Sequence, residues 1–141
     1  MNHLLSSVLV ATAIAGMAVA QNPFPIPECK DMKTTASGLQ IGELRAGRNE
    51  PKPSAEDTVE VHYVGWLMNG TKFDSSHERG RPMRFPLKGV IKGWTEGVQL
   101  MSPGGKYKLI VPPDLAYGDQ DNGVIPPKST LIFEEIGRAH V

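Results

Sequence analysis

The sequence predicts an α+β fold in which a curved antiparallel β-sheet, a half-barrel, wraps around one short α-helix. Two observations lead to this prediction. Several segments alternate apolar and polar side chains with the period of two that half-buried strands show. Only residues 93–101 repeat apolar side chains at helical spacing. Because so short a helix cannot bury its apolar face alone, a sheet that curves around it is the economical solution.

The strands follow from this alternation. Thr58–Leu67 is the clearest, with Val61 and Tyr63 on one face. Asn69 and Gly70 then predict a hairpin turn, because both residue types accept positive φ. The chain is expected to return antiparallel from that turn. The other predicted strands are residues 39–44, 72–74, 83–87, 106–111 and 129–133.

The predicted helix carries Trp94, Val98 and Met101 on one face. The run Ser102-Pro-Gly-Gly105 ends it. An all-β sandwich is the alternative fold, and this apolar stripe argues against it. A long loop, residues 112–128, follows the next strand and places apolar side chains among prolines. Long ordered loops in compact domains are usually functional.

Composition excludes several classes of protein. With 15 Lys+Arg against 15 Asp+Glu the net charge is zero, which argues against nucleic acid as the main partner. A hydrophobic content of 40% excludes a charged, disordered tail protein. The 15 Gly and 12 Pro show no repeat period, so collagen is excluded and short elements joined by defined turns are expected.

The N-terminus has the form of a secretory signal peptide. Residues 4–20 are largely apolar and close with the small-x-small triplet Ala18-Val19-Ala20. A membrane anchor is the alternative, but the stretch is shorter than the ~20 residues of a spanning helix. We therefore expect residues 1–20 to be removed after Ala20 and the protein to be exported, to the periplasm or outside the cell, with no membrane attachment after cleavage.

Residues 21–34 are expected to form an extended tether in front of a domain that spans residues 35–134. The tether contains three prolines at alternate positions and shows no packing pattern. It holds Cys29, the only cysteine, so no disulfide within the chain is possible and a solvated bystander is expected. No helical arm that could mediate dimerisation precedes Thr34, and we expect a monomer.

Residues 135–141 are expected to be an atypical, non-native tail. By strand alternation Glu135 falls on the same face as Leu131 and Phe133, where a hydrophobic residue belongs. The run Glu-Ile-Gly-Arg-Ala-His-Val also has the form of translated sequencing-adapter DNA. We therefore expect the natural chain to continue differently after about Glu134.

The sequence shows no pattern for metal, covalent or nucleotide chemistry. His62 has no cysteine or carboxylate pair around it at ligand spacing. There is no nucleophile elbow, and Cys29 lies outside the predicted domain. Gly104-Gly105-Lys106 lacks the upstream Gly and the following Ser or Thr of a phosphate-binding loop. We expect neither a metal nor a cofactor.

Aromatic residues are the remaining candidate machinery. Phe24 excepted, every aromatic residue lies between Tyr63 and Phe133. From composition alone these side chains could simply form the core. The long loop favours a binding site, because it places Leu115, Tyr117 and Ile125 beside prolines on a connection that needs no such residues.

Five motifs then occur in order along the chain. They are Val61-His-Tyr-Val-Gly65, Asn69-Gly-Thr-Lys-Phe-Asp-Ser-Ser76, Gly89-Val-Ile-Lys-Gly-Trp-Thr-Glu-Gly97, Pro113-Asp-Leu-Ala-Tyr-Gly118 and Ile125-Pro-Pro-Lys-Ser-Thr-Leu-Ile-Phe133. This series closely resembles the FKBP-type peptidyl-prolyl cis-trans isomerases, the macrolide-binding family. The resemblance covers Thr34 to about Glu134 and fits the secreted bacterial branch.

The resemblance implies a function as well as a fold. It implies an isomerase that accelerates X-Pro bond rotation during the folding of exported proteins, by non-covalent binding in an aromatic pocket. The alternative is a proline-binding or chaperone module with little turnover. The implied partners are proline-containing polypeptides, and macrolide inhibitors are possible ligands.

The resemblance also assigns the pocket that would hold the proline. Trp94 matches the floor under the prolyl ring, and Tyr63, Phe73 and Phe133 match the walls. Met83 stands where many members have an aromatic residue, which implies a softer wall there.

Polar groups and a rim complete the implied site. Asp74 and Tyr117 match the two polar side chains that reach the substrate, and we assign them the catalytic role of orienting the twisted amide. Arg79 matches the basic residue that partners the aspartate. The implied rim and flap residues are Val90, Ile91, whose backbone amide meets a ligand carbonyl in the family, and Ile125.

Overall fold

The structure of the protein is a computed structural model that describes residues 25–140. It consists of one antiparallel seven-stranded sheet curved around a single α-helix, which confirms the predicted α+β half-barrel. The elements are β1 (Lys33–Thr34), β2 (Gln40–Arg45), β3 (Thr58–Leu67), β4 (Lys72–Ser75), β5 (Met83–Pro86), α1 (Lys92–Val98), β6 (Lys106–Val111) and β7 (Leu131–His140), with 3₁₀ turns at Leu87–Gly89 and Pro113–Leu115.

The long strand β3 organises the sheet, whose order is β1-β2-β6-β7-β3-β4. One edge of β3 pairs with β7 along its length, and the other edge pairs with β4 and with β5. This arrangement brings Gly65 beside Asp74 on one side and beside Phe133 on the other. Side chains from three strands therefore converge on one end of β3.

The helix packs closely on the concave face of the sheet. Trp94, Val98 and Met101 are all buried, as their spacing predicted. The α-helix ends at Val98, earlier than the predicted Met101, because residues 100 and 101 donate to carbonyls three residues back and so form a tighter turn. A Cβ on Gly93 would lie 2.4 Å from a methyl group of Val111, so a glycine is needed where α1 approaches β6.

The segment predicted as an unpacked tether contacts the convex face of the sheet. Ile26 packs against a second apolar cluster, formed by Val64, Trp66 and Ile132. Lys33–Thr34 pairs with β2. The prediction of a segment without packing was therefore wrong for these residues, because a lone apolar residue among prolines has no periodicity and its burial depends on the distant Trp66.

Cys29 also differs from a solvated bystander. Its side chain is half-buried, and its thiol points at the backbone carbonyl of Glu43 at 3.7 Å. A Cβ on Gly42 would lie 2.4 Å from the sulfur, so the thiol occupies the space left by that glycine. The predicted signal peptide, with its cleavage after Ala20, lies outside the described residues. Within residues 25–140, no helix has the length and apolar character required to cross a membrane.

The last strand is longer than predicted and buries a carboxylate. β7 continues past the expected end at Phe133 and pairs with β3 as far as His140. Glu135 faces the core as strand alternation predicted, with no exposed surface. Its neighbours across the sheet are Tyr63 and Tyr107, and neither carboxylate oxygen has a hydrogen-bond partner. Burial raises the pKa of Glu135 to about 8.

Candidate functional site

An aromatic cavity of about 450 Å³ opens between β3, β4, the N-terminal end of α1 and the long loop before β7. Its size lies in the range of small-molecule and peptide side-chain pockets. We call it the aromatic cavity. Its lining residues are Tyr63, Phe73, Asp74, Phe85, Gly89, Val90, Ile91, Trp94, Tyr117 and Phe133.

Trp94 is the centre of the aromatic wall. It lies on the first turn of α1, and its indole meets the rings of Tyr63 at 4.9 Å, Phe85 at 5.3 Å and Phe133 at 5.3 Å between centroids. Each pair is nearly perpendicular, which is a favoured aromatic geometry. Phe73 extends the wall through an edge-to-face contact with Phe133. The rings hold one another in place and leave an apolar surface.

Gly65 makes room for this arrangement from β3. A Cβ at this position would lie 2.6 Å from Cζ of Phe73 and 2.9 Å from Cε1 of Phe133. Contacts this short require a ring to move. The missing side chain is therefore part of the shape of the cavity, although Gly65 itself does not line it.

Gly65→Ala is expected to displace the two phenyl rings, lower the affinity for cavity ligands and destabilise the fold by about 1–3 kcal/mol, as overpacking commonly does. Urea unfolding and ligand titration measure the two effects. Gly137→Ala is the matched control on the neighbouring strand, because its Cβ would meet only Met101 at an ordinary 3.7 Å. Equal effects of the two substitutions would contradict the role assigned to Gly65.

A polar network lies at the edge of the cavity. The Tyr63 hydroxyl donates to Asp74, and Arg79 donates from Nη1 to Asp74 Oδ1 at 2.6 Å. Nη2 of Arg79 donates to the Tyr63 hydroxyl at 2.8 Å, and the backbone N–H of Ser75 donates to Asp74 Oδ1 at 2.9 Å. The carboxylate is thus held from three directions.

This network fixes the protonation states of its members. Burial alone would raise the pKa of Asp74, but the hydrogen bonds from Tyr63 and Arg79 together outweigh burial and hold it below its usual range. Burial, and next the hydrogen bond to Asp74, raise the pKa of Tyr63 to about 12. At neutral pH the cavity edge therefore carries an Asp74 anion and a neutral Tyr63 phenol.

Ser76 fixes the backbone of Tyr63 from the neighbouring loop. Its Oγ accepts from the Tyr63 N–H at 2.8 Å, and its own N–H donates to the Tyr63 carbonyl at 2.9 Å. The same Oγ contacts Nδ1 of His62 at 2.8 Å, and that imidazole stacks on His77. These bonds attach the loop that carries Arg79 to β3.

The structure brings most of the predicted site residues together around the cavity, and three lie elsewhere. Arg79 acts through Asp74 and Tyr63. Ile125, predicted as a flap, is buried in the main core. Met83, predicted as a soft wall, packs against the core, and Phe85 lines the cavity instead. The predicted residues that do line it are Tyr63, Phe73, Asp74, Val90, Ile91, Trp94, Tyr117 and Phe133.

Sequence reasoning missed Phe85 and Gly89 as lining residues. The signal for Phe85 was present, because strand alternation places it on the same face of β5 as Met83, opposite Val59 of β3. Gly89 has no side chain that a pattern could reveal. Across residues 25–140 no three His, Cys, Asp or Glu side chains cluster in a way that could hold a metal ion.

The sequence is similar to those of known proteins. The sequence profile of the FKBP-type peptidyl-prolyl cis-trans isomerases matches residues 49–135. A probable FKBP-type peptidyl-prolyl cis-trans isomerase from Haemophilus influenzae is 55% identical over 106 residues, which cover 74% of this chain and 44% of that protein. The matched region therefore spans less than half the length of that relative.

Solved structures show the same similarity. The crystal structure of FkpA from Escherichia coli matches with a TM-score of 0.75 and 46% identity, over 79% of this chain and 52% of that one. A peptidyl-prolyl cis-trans isomerase from Pseudomonas syringae pv. tomato matches with a TM-score of 0.71 and 41% identity, over 77% of this chain and 80% of that one.

Proposed function

The chain belongs to the FKBP-type peptidyl-prolyl cis-trans isomerase family, and we propose that it accelerates X-Pro bond rotation in polypeptides whose proline enters the aromatic cavity. The observation that supports this most is the cavity itself. A ring-lined pocket with the Trp94 indole at its centre matches a prolyl ring in shape and polarity, and a held carboxylate lies at its edge.

The reaction needs no bond to be made, which agrees with a cavity lined mainly by aromatic and aliphatic side chains. Rotation about an X-Pro bond crosses a barrier of about 18–20 kcal/mol and takes roughly tens to hundreds of seconds without a catalyst. Amide resonance makes the planar ground state more polar than the twisted one. A desolvated aromatic cavity solvates the planar state less well than water does, so it favours the twisted amide.

Each lining residue has a role in this mechanism. The rings of Trp94, Phe73 and Phe133 hold the prolyl ring while the preceding residue rotates. Asp74, as a fixed anion, and Tyr117, through its hydroxyl dipole, orient the twisted amide, and neither transfers a proton. The Ile91 backbone N–H at the rim donates a hydrogen bond to a substrate carbonyl, which is the role that the family resemblance implies for it.

The N-terminal sequence supports a proposal for where the protein acts and on which polypeptides. The predicted signal peptide supports export, so the proposed substrates are proline-containing segments of exported proteins in the periplasm or outside the cell. We also propose that the protein acts as a monomer. A macrolide that carries a proline-like ring would compete with the substrate proline for the aromatic cavity.

The test is NMR exchange spectroscopy on an unstructured peptide with one X-Pro bond and the full chain. We expect substoichiometric protein to accelerate cis-trans exchange and a macrolide such as FK506 to abolish the acceleration. The alternative, a proline-binding module, predicts peptide binding that the macrolide displaces with no change in exchange rate. If the folded protein neither binds the peptide nor accelerates its cis-trans exchange, both functions are contradicted.

A further inference from the structure

A second depression adjoins the aromatic cavity and has no part in the mechanism above. It has a volume of about 800 Å³ and runs along the outer side of α1. Val90 lines both the aromatic cavity and this depression, so the two are continuous at that residue. We call it the flanking groove; its apolar surface comes from Val90, Leu100 and Leu115.

The apolar surface of the flanking groove includes an exposed leucine. Leu100 is 42% exposed and so contributes accessible apolar surface to the flanking groove. Leu115 is nearly buried and forms part of the core beneath. The groove therefore offers a shallow apolar strip beside a deep aromatic cavity, a shape that suits a polypeptide with one proline inserted and its neighbouring residues laid alongside.

The charges of the groove are uneven. Lys88 forms an ion pair with Glu56 at 2.7 Å. Glu96, one turn further along α1 than Lys92, accepts a hydrogen bond from the neutral Ser37 hydroxyl at 2.5 Å and keeps its negative charge, so an acidic ligand group is favoured only at the Lys92 end of the groove. Lys92, exposed on the first turn of α1, makes no ion pair with a carboxylate among the described residues. The ammonium of Lys92 is thus available to a ligand in the groove.

We propose that the flanking groove binds the residues of the client next to its proline, with preference for an apolar side chain over Leu100 and an acidic one against Lys92. This rests on the proposed function, because the proline must occupy the aromatic cavity. The occupant follows from the continuity at Val90 and from the Lys92 ammonium, which has no carboxylate partner within residues 25–140. The groove would select among X-Pro sequences that the aromatic cavity itself cannot distinguish.

The test compares peptides that differ only in one charge. Each carries Leu beside one X-Pro bond and either Glu or Lys two or three residues from the proline, on either side. We expect the full chain to prefer Glu over Lys in kcat/KM at one of these placements by roughly threefold, the size of one exposed ion pair. Lys92→Glu should reverse that ratio, and acidic residues suit the first turn of a helix, so the fold should survive.

Controls separate this inference from the proposed function. Lys30→Glu changes the same charge at an exposed residue that lines neither depression, and it should leave the ratio as in the wild type. NMR titration of ¹⁵N-labelled protein with the same peptides measures binding independently of turnover, through chemical-shift changes of the Lys92 and Leu100 amides. Peptide binding at those amides without faster exchange would overturn only the isomerase proposal. A Glu-to-Lys ratio that Lys92→Glu leaves unchanged, together with unmoved amides, would overturn the groove proposal while isomerase activity stands.

Discussion

Glu135→Leu is expected to raise the free energy of unfolding at pH 8 by about 3–5 kcal/mol, because a pKa that differs by one between the folded and unfolded states corresponds to about 1.4 kcal/mol. Glu135 is fully buried on β7, and neither of its carboxylate oxygens has a partner. Leucine has a similar volume and no polar atoms, so it removes the desolvation cost without leaving a cavity. Natural domains are stable by only about 5–15 kcal/mol, so the expected gain is a large fraction of the total.

The effect has a definite pH dependence. Burial raises the pKa of Glu135 from 4.5 in the unfolded chain to about 8 in the folded one. Below pH 4.5 both states are protonated and ionisation costs nothing. Between these values the unfolded state releases the proton that the folded state keeps, so stability falls as pH rises, by about 1.4 kcal/mol per pH unit. Above about pH 8 the full loss is present.

Urea unfolding at pH 5 and pH 8 measures this loss directly. The wild type should be markedly less stable at pH 8, and Glu135→Leu should remove most of that difference. Glu134→Leu is the matched control, because Glu134 is the preceding residue of β7 and points to the other face of the sheet. If Glu135→Leu unfolds with the same pH dependence as the wild type, the carboxylate is not the buried titrating group.

Strand alternation predicted most of the fold, and its failures have identifiable causes. It gave the bounds of β3 and β6 as the structure has them, because those strands have one apolar and one polar face over several residues. It failed for the segment around Ile26, whose burial depends on Trp66 across the convex face. Contacts between residues this far apart in sequence leave no local periodicity.

The residues of the site could be predicted where sequence motifs and strand alternation agreed. They could not be predicted where the distance of a side chain from the cavity decides whether it lines it. The aromatic residues on β3, β4, α1 and β7 converge because the sheet order places those elements side by side. Met83 and Phe85 share a face of β5, and alternation cannot tell which of them reaches the cavity. Gly65 shapes the cavity by having no side chain, which becomes visible only when the neighbouring rings are placed.

Phe73→Ala is expected to lower kcat/KM for prolyl-peptide isomerisation about tenfold, which corresponds to roughly 1.4 kcal/mol of lost transition-state stabilisation. Phe73 lines the aromatic cavity from β4 and supports Phe133 through their edge-to-face contact. Its loss opens the wall to water, so the cavity solvates the planar amide better and favours the twisted one less. Because Phe73 is only partly buried, the fold should survive its removal.

Two variants show whether this loss comes from the cavity wall. Phe73→Leu keeps an apolar side chain in place and should retain more activity than Phe73→Ala. Met68→Ala removes an exposed apolar side chain from the same hairpin, away from the aromatic cavity, and should isomerise peptides at the wild-type rate. Circular dichroism and urea unfolding confirm that each variant is folded. Wild-type turnover by a folded Phe73→Ala variant would mean that substrate does not contact this wall, and the prolyl ring would then have to lie elsewhere than between Phe73 and Trp94.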